Sequence, residues 1–298
     1  MSMRTRWVAT LAFAALLTGC IEFERETVTY RHDPKADTLR FFQHYQGIFG
    51  ADKQGELSSQ EQEQLNSVLT TERTFFFANW IFEFNREEVG KWLAELKKPG
   101  TNEELKKIPG AAARLETLLN LLLENVRVEN GDFYKGEGGK LCGVQRVTMK
   151  NVSKVLAAAN DSIRDLYRVE AAKDGTSDEE RVILKKSIAE PRSYIKLEGN
   201  RLSLRLPITR ADYDKTFGPG AESSKELGEF TQAGGALAFA ENELLASLGN
   251  VADKETTLTL STAEKPYRPN LLDVVKTKPG VKEKLDVGAA RAAFFSRP

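Results

Sequence analysis

The sequence predicts an α+β fold, with a mainly antiparallel sheet built from hairpins and several packed amphipathic helices. Three observations predict it. Runs of alternating residues meet at tight turn signals, Asp33-Pro34-Lys35-Ala36-Asp37, Asn130-Gly131 and Gly199-Asn200, which are the chemistry of neighbouring antiparallel strands. Between these runs stand segments with apolar residues at helical spacing, several of them opened by a capping pattern. The spacing of βαβ units is absent, so a parallel sheet is not expected.

Taken in order, residues 26–46 alternate on both sides of the Asp33–Asp37 turn, with Val28 and Tyr30 before it and Leu39, Phe41 and Tyr45 after it. Proline preset early in the bend and two flanking aspartates predict a hairpin. Pairing about Lys35 would set His44 opposite Glu26. A helix starting at Pro34, with Leu39, Phe42 and Tyr45 on one face, is the rival reading. Ser58-x-x-Glu61 is a capping box and opens a helix. Residues 74–84, TFFFANWIFEF, are apolar at nearly every position and predict a buried strand. Asn85-x-x-Glu88 caps a helix with Val89, Trp92, Leu93 and Leu96 on one face, ended by Pro99-Gly100.

Residues 111–126 are apolar around most of a helical circumference, richest at Leu115, Leu118, Leu119 and Leu122, which predicts a core helix. Strands follow, turning at Asn130-Gly131 and again at 136–139. Over 151–172, Val152, Val155, Leu156, Ala159, Ile163 and Leu166 form one stripe of a helix capped by Asn151. Ser177-x-x-Glu180 opens another helix, and 192–207 fold into a hairpin about Gly199-Asn200. A helix near 234–248, a strand in ETTLTLS and a C-terminal helix from about 280 complete the prediction. Residues 171–180 are the softest boundary. They divide a region 20–175 from a region 176–298, which can also form one continuous domain.

The first twenty residues carry a different message. Arg4 and Arg6 precede fifteen uncharged residues, Trp7 to Ile21. That is the layout of a signal peptide. As a helix the run is roughly 22 Å long against a hydrocarbon core of about 30 Å, so it does not comfortably span a bilayer. Leu17-Thr18-Gly19-Cys20 resembles the lipobox of bacterial lipoproteins: an apolar residue, two small residues, then cysteine at the end of the apolar run. The resemblance implies removal of residues 1–19, a diacylglyceryl group on the Cys20 sulfur, and a membrane as partner through the acyl chains, including palmitate. Each buried CH₂ contributes about 0.8 kcal/mol, and two chains anchor stably where one is marginal. Residue 21 is Ile rather than Asp, so the inner-membrane retention signal of this class is missing and the outer membrane of the cell envelope is the expected location.

With 41% apolar and 29% charged residues and only 10 prolines, the chain reads as globular. It has 43 basic and 43 acidic residues, and loss of Arg4 and Arg6 leaves a net charge near −2, which argues against a nucleic-acid partner. Cys142 has no disulfide partner once Cys20 is acylated. With no histidine in the surrounding hundred residues, it reads as a buried small hydrophobe.

No catalytic constellation emerges. His32 and His44 lie over 15 Å apart on either rival fold, roughly, which excludes joint ligation of a metal. GEGGK at 136–140 lacks the earlier glycine and the following Ser or Thr of a phosphate loop. Carboxylate pairs are plentiful, such as Asp161 with Asp165, Asp212 with Asp214, and Glu241 with Glu243; the first, interleaved with Arg164 and Arg168, reads as a solvated ion-paired face. The aromatic residues Phe75, Phe77, Trp80, Phe82 and Phe84 read first as a strand covered on both faces, with an apolar ligand surface as the alternative. Phe294 and Phe295 in the tail either dock on their own domain or face a partner. The expectation is a lipid-anchored envelope lipoprotein with a non-enzymatic binding or structural role, no cofactor and no metal, its partner an envelope protein or lipid. The alternative is an Asp/Glu-dependent hydrolase of an envelope polymer, marked by a cleft with facing carboxylates and an upward-shifted acid.

Overall fold

The computed structural model describes residues 21–50, 57–74, 84–189, 193–217, 228, 230–240, 243–261 and 281–297. The fold is α+β, as predicted. Strands β1 (Ile21–Asp33), β2 (Thr38–Gly50), β3 (Val126–Lys135), β4 (Leu141–Lys150), β9 (Thr256–Ser261) and β10 (Val281–Lys282) form one sheet in the order β10-β3-β4-β2-β1-β9. A second sheet has the order β5-β6-β8-β7, from Ile195–Glu198, Arg201–Leu206, Glu243–Leu248 and Gly235–Ala240 respectively. All pairings are antiparallel except the short β10 against β3.

One face of the six-stranded sheet carries Val28, Tyr30, Leu39, Phe41, Val126, Val128, Val147 and Met149, which the two-residue period of strands puts on a common side. Helix α1 (Ser59–Thr70) lies against β3, and against this face pack helices α2 (Arg86–Leu96), α3 (Glu103–Lys106), α4 (Ala111–Asn125) and α5 (Val152–Ala172), which contribute Val89, Leu96, Leu105, Leu119, Val152 and Val155 to the shared core. Leu248 and Leu258, from the far end of the chain, belong to the same core. Helix α6 (Asp178–Ala189) packs on α5, and α7 (Arg210–Phe217) sets Tyr213 edge-on to Phe239 of β7 at 4.7 Å. The opposite sheet face is covered by α8 (Val287–Phe295).

The predicted Asp33–Asp37 hairpin is present and runs 13 residues in each strand. Asp33 Oδ1 accepts the N–H groups of Lys35 and Ala36, as a turn aspartate should, and these bonds hold its carboxyl below the usual range. The register differs by one residue from pairing about Lys35. Four residues, 34–37, make the turn and Asp37 takes a left-handed φ of 48°, so Glu26 faces Tyr45 and His44 faces Thr27. A slip of one exchanges faces, and this shift decides what surrounds both residues.

The two capping boxes form reciprocally: Ser58 N to Glu61 Oε2 at 2.6 Å with Glu61 N to Ser58 Oγ at 3.3 Å, and Ser177 N to Glu180 Oε2 at 3.0 Å with Glu180 N to Ser177 Oγ at 3.3 Å. Asn85 caps α2 through the N–H groups of Glu87 and Glu88. Asn151 does not cap α5. It is left-handed, and Asp37 of the hairpin turn takes the role, accepting Ser153 N at 2.9 Å and Ser153 Oγ at 2.6 Å. Trp92 and Leu166, expected on buried stripes, are exposed; Tyr167 is buried in place of the latter.

Three further expectations are corrected. Asn130-Gly131 is not a hairpin turn: β3 runs through it to Lys135, and Asn130 opposes Gln145 while Phe133 opposes Gly143, one extra residue on β3 and hence a bulge. The helix expected over 234–248 is the hairpin β7–β8, whose helix-forming Ala and Leu residues are overridden by pairing of Leu202–Leu206 with Leu244–Leu248. The C-terminal helix begins at Val287, where Asp286 Oδ1 accepts Ala289 N, and Val281–Lys282 before it is strand. In the strand expected over 74–84, residues 75–83 lie outside the described residues; Thr74 N donates to Phe84 O at 2.8 Å.

The two sheets meet at the turn between β5 and β6, whose Gly199 has φ 54° at the first central position. Asn160 of α5 holds β5 from the other side, its Oδ1 accepting Tyr194 N at 2.6 Å and Ile195 N at 2.8 Å.

Candidate functional site

The outer face of the six-stranded sheet gathers the most chemically capable side chains. Tyr134 of β3 pairs directly with Cys142 of β4, and His44 of β2 pairs with Val144, two residues further along β4 on the same face. With only Cys142 and Val144 between them, the rings of His44 and Tyr134 meet across β4, His44 Nε2 lying 2.6 Å from Tyr134 Oη and the ring planes 21° apart. The Cys142 thiol is hydrogen-bonded to Tyr134 in turn. Phe294 and Phe295 of α8 close over this row, Phe294 meeting Phe42 at 6.3 Å.

Burial sets the protonation of all three groups. It lowers His44 to about 4, so the imidazole is neutral near pH 7. It raises Tyr134, with the Cys142 sulfur adding to the effect. Burial also raises Cys142; the Gly47 N–H, Tyr134 and Lys140 act the other way, and Glu24 acts with burial. A thiol and a phenol kept protonated beside a neutral imidazole make a proton chain, in which Cys142 donates to Tyr134 and Tyr134 to Nε2 when the ring proton is on Nδ1. This is not a nucleophilic cysteine, which requires a thiolate, and the phenol stands between sulfur and imidazole.

The inner face holds a second unusual group. Glu26, with Tyr45 opposite on β2 and Leu260 opposite on β9, is 0% exposed, and neither carboxyl oxygen has a hydrogen-bond partner among the described residues. Burial raises it to about 8, offset in part by the nearby Tyr45 hydroxyl. Tyr45 itself is pushed well up by burial and then by Glu26, and its hydroxyl donates to Gln43 Oε1 at 3.2 Å.

Of the residues singled out in the sequence, Cys20, Phe75, Phe77, Trp80 and Phe82 lie outside the described residues. Phe84 is 2% exposed and belongs to the main core, in keeping with the reading of a covered strand. His32 is remote in partners from His44: its Nδ1 meets Gly199 O at 2.9 Å. No cluster of three His, Cys, Asp or Glu residues that could hold a metal occurs among the described residues. Asp161 is paired with Arg164 at 2.8 Å, but Asp165 is not on a solvated face. Its side chain is 1% exposed and binds Arg114 of α4 at 2.6 Å as well as Arg168 at 2.9 Å. Asp212 accepts Thr209 Oγ1, Asp214 pairs with Arg210, and Glu243 lies 3.6 Å from Arg205; Glu241 falls outside the described residues. Glu24 holds Lys140 of the 136–140 turn at 2.6 Å.

The Cys142–Tyr134–His44 row escapes a sequence reading because its members are brought together by strand pairing across 98 positions of chain. The one available signal is the alternation of β2, which puts Phe42 and His44 on the side opposite Phe41 and Tyr45. Comparison of the chain with protein-family models, curated proteins and solved structures finds no match.

Proposed function

We propose that this chain is a lipid-anchored lipoprotein of the bacterial cell envelope, tethered through acyl chains on Cys20 at the outer membrane, whose α+β domain serves a binding or structural role rather than catalysis. One observation carries the reading. Ile21, the residue after the lipobox cysteine, is 2% exposed and paired with Gly50 in the β1–β2 hairpin. A chain processed at Cys20 therefore keeps the whole of β1 as described, and the anchored residue adjoins one already packed in the sheet. No helix among the described residues is long and apolar enough to cross a membrane.

The non-catalytic part of the reading is supported by how the reactive groups are used. Cys142 is buried and held as a thiol, the described acidic pairs are taken up in ion pairs and caps, and Glu26, the carboxyl raised most strongly among the described residues, is sealed beside a tyrosine rather than facing a second carboxylate in a cleft. Mass spectrometry of the N-terminal peptide from native membranes tests the anchor. A diacylglyceryl-modified Cys20 as first residue is expected, and Cys20→Ser should accumulate as unprocessed precursor. An unmodified sulfur, or a different first residue, overturns the proposal.

A further inference from the structure

We infer that the lipidated domain stands end-on at the bilayer, with the 136–140 turn apposed to the lipid headgroups and the Asp33–Asp37 hairpin tip directed away from them. This rests on acylation of Cys20. A lipoprotein whose anchor is joined to its fold by a flexible segment of n residues is free to roam roughly 5–6 Å × √n from the surface and to turn in any direction. Here the connecting segment is Cys20 alone, so that reach falls to roughly 5–6 Å. One peptide bond joins Cys20 to Ile21, about 3.8 Å between Cα atoms. Ile21 is already fixed in the sheet, buried and in register with Gly50.

The strand pairings identify what shares that end of the sheet. Extending the β2–β4 register beyond Tyr45–Gly143 brings the end of β2 alongside the start of β4, and β3 ends there at Lys135 opposite Leu141. The ion pair of Glu24 with Lys140 closes the same corner from β1 to the turn. Val281–Lys282 lies beside Phe133 and Tyr134, so β10 belongs to it too. The anchor thus leaves the sheet from the end of a strand flanked by β2 and β9, with helices on one face and α8 on the other. Lying flat would require one of those helical layers to press against lipid, whereas end-on the turn at 136–140 is what the described residues bring to that surface.

The turn suits headgroups rather than acyl chains. Lys135 and Glu137 are exposed there, with Lys282, Glu283 and Lys284 close by in the pairing. Both charge signs are represented, so the covalent lipid, and not attraction to an anionic surface, sets the orientation. The 13 residues of β1 at about 3.3 Å each put the hairpin tip roughly 40 Å further from the bilayer than Ile21.

Energy transfer from single fluorophores to headgroup-labelled acceptor in phosphatidylcholine vesicles tests this. The full acylated protein is labelled at Glu137→Cys or at Lys35→Cys, both exposed positions, while Cys142 is buried. Transfer from position 137 should be strong and that from position 35 several-fold weaker, and a Gly-Ser linker inserted between Cys20 and Ile21 should bring the two together. Equal transfer from both positions without the linker, in protein whose acylated Cys20 peptide is seen by mass spectrometry, overturns the orientation while leaving the anchor intact. An unacylated Cys20 in the same sample overturns both.

Discussion

The Tyr30 hydroxyl lies 2.8 Å from the carbonyl oxygen of Asn200, two buried groups in different sheets. The same hydroxyl is 2.9 Å from Leu248 O, so one proton serves both carbonyls. Asn200 adds to the junction by accepting His32 N through Oδ1 at 2.7 Å and donating Nδ2 to Asp253 O at 2.8 Å. Gly249, with φ 68°, lies so close that a Cβ would sit 2.8 Å from the Tyr30 oxygen.

Tyr30→Phe keeps the ring and removes the hydroxyl that both carbonyls share. Loss of a buried hydrogen bond costs about 1 kcal/mol, rising to about 3 where a group is left unsatisfied, so urea unfolding should show a loss of that order. Amide exchange should also rise at the 199–200 turn more than in α4. A variant as stable as the parent would mean that the junction is held by packing alone.

Glu26 should make stability depend on pH. Its folded value of about 8 lies above the ordinary 4.5, so the folded chain holds the proton more tightly than the unfolded one. The stabilisation is whole below about pH 4.5, declines as pH rises towards 8, and levels off above it, a loss on the order of 5 kcal/mol if Glu26 alone titrates. Glu26→Gln, which has no proton to lose, should flatten this decline in unfolding free energy measured from pH 4.5 to 9. A decline of unchanged slope in the variant would assign the effect elsewhere.

Asp37→Ala removes the cap that a β-turn supplies to helix α5. The expected cost is about 1 kcal/mol. Ser153→Ala should be milder, because the backbone N–H that Asp37 accepts is retained. Thermal melts of the two variants, compared with Asn151→Ala as the residue that only looks like the cap, order the three effects.

Cys142 should be slow to react with thiol reagents in the native protein, since it is buried, raised in pKa and covered by α8. Phe295→Ala, which thins that cover and removes the stacking of Arg31 at 5.1 Å, should speed labelling more than it changes the unfolding midpoint. Labelling that keeps pace only with global unfolding in both proteins would show that α8 does not gate the thiol.

What the sequence made legible was local chemistry. Ser58 with Glu61, Ser177 with Glu180, and Asp33 with Pro34 each act within a few residues, and each forms as expected. Asn130-Gly131 carries an equally local signal and misleads, because β4 is long enough to pair on both sides and absorbs it as a bulge. Residues 235–248 mislead for the same kind of reason: Ala and Leu favour helix in isolation, and only the pairing with β6 makes them strand. The histidine at 44 and the thiol at 142 are joined through Tyr134 by the registers of β2 and β3 on β4. Nothing within reach of either residue encodes that meeting.

The ladder between β1 and β9 has a consequence for how the molecule comes into being. Strand β1 is the first of the described elements in chain order and β9 among the last, yet they are neighbours, from Arg25 beside Ser261 to Tyr30 beside Thr256. Until the chain as far as residue 261 has arrived to fold, one rim of β1 offers unpaired N–H and C=O groups to any passing strand. Closure over so long a stretch of polypeptide is slow, and newborn chains should clump more readily than finished ones.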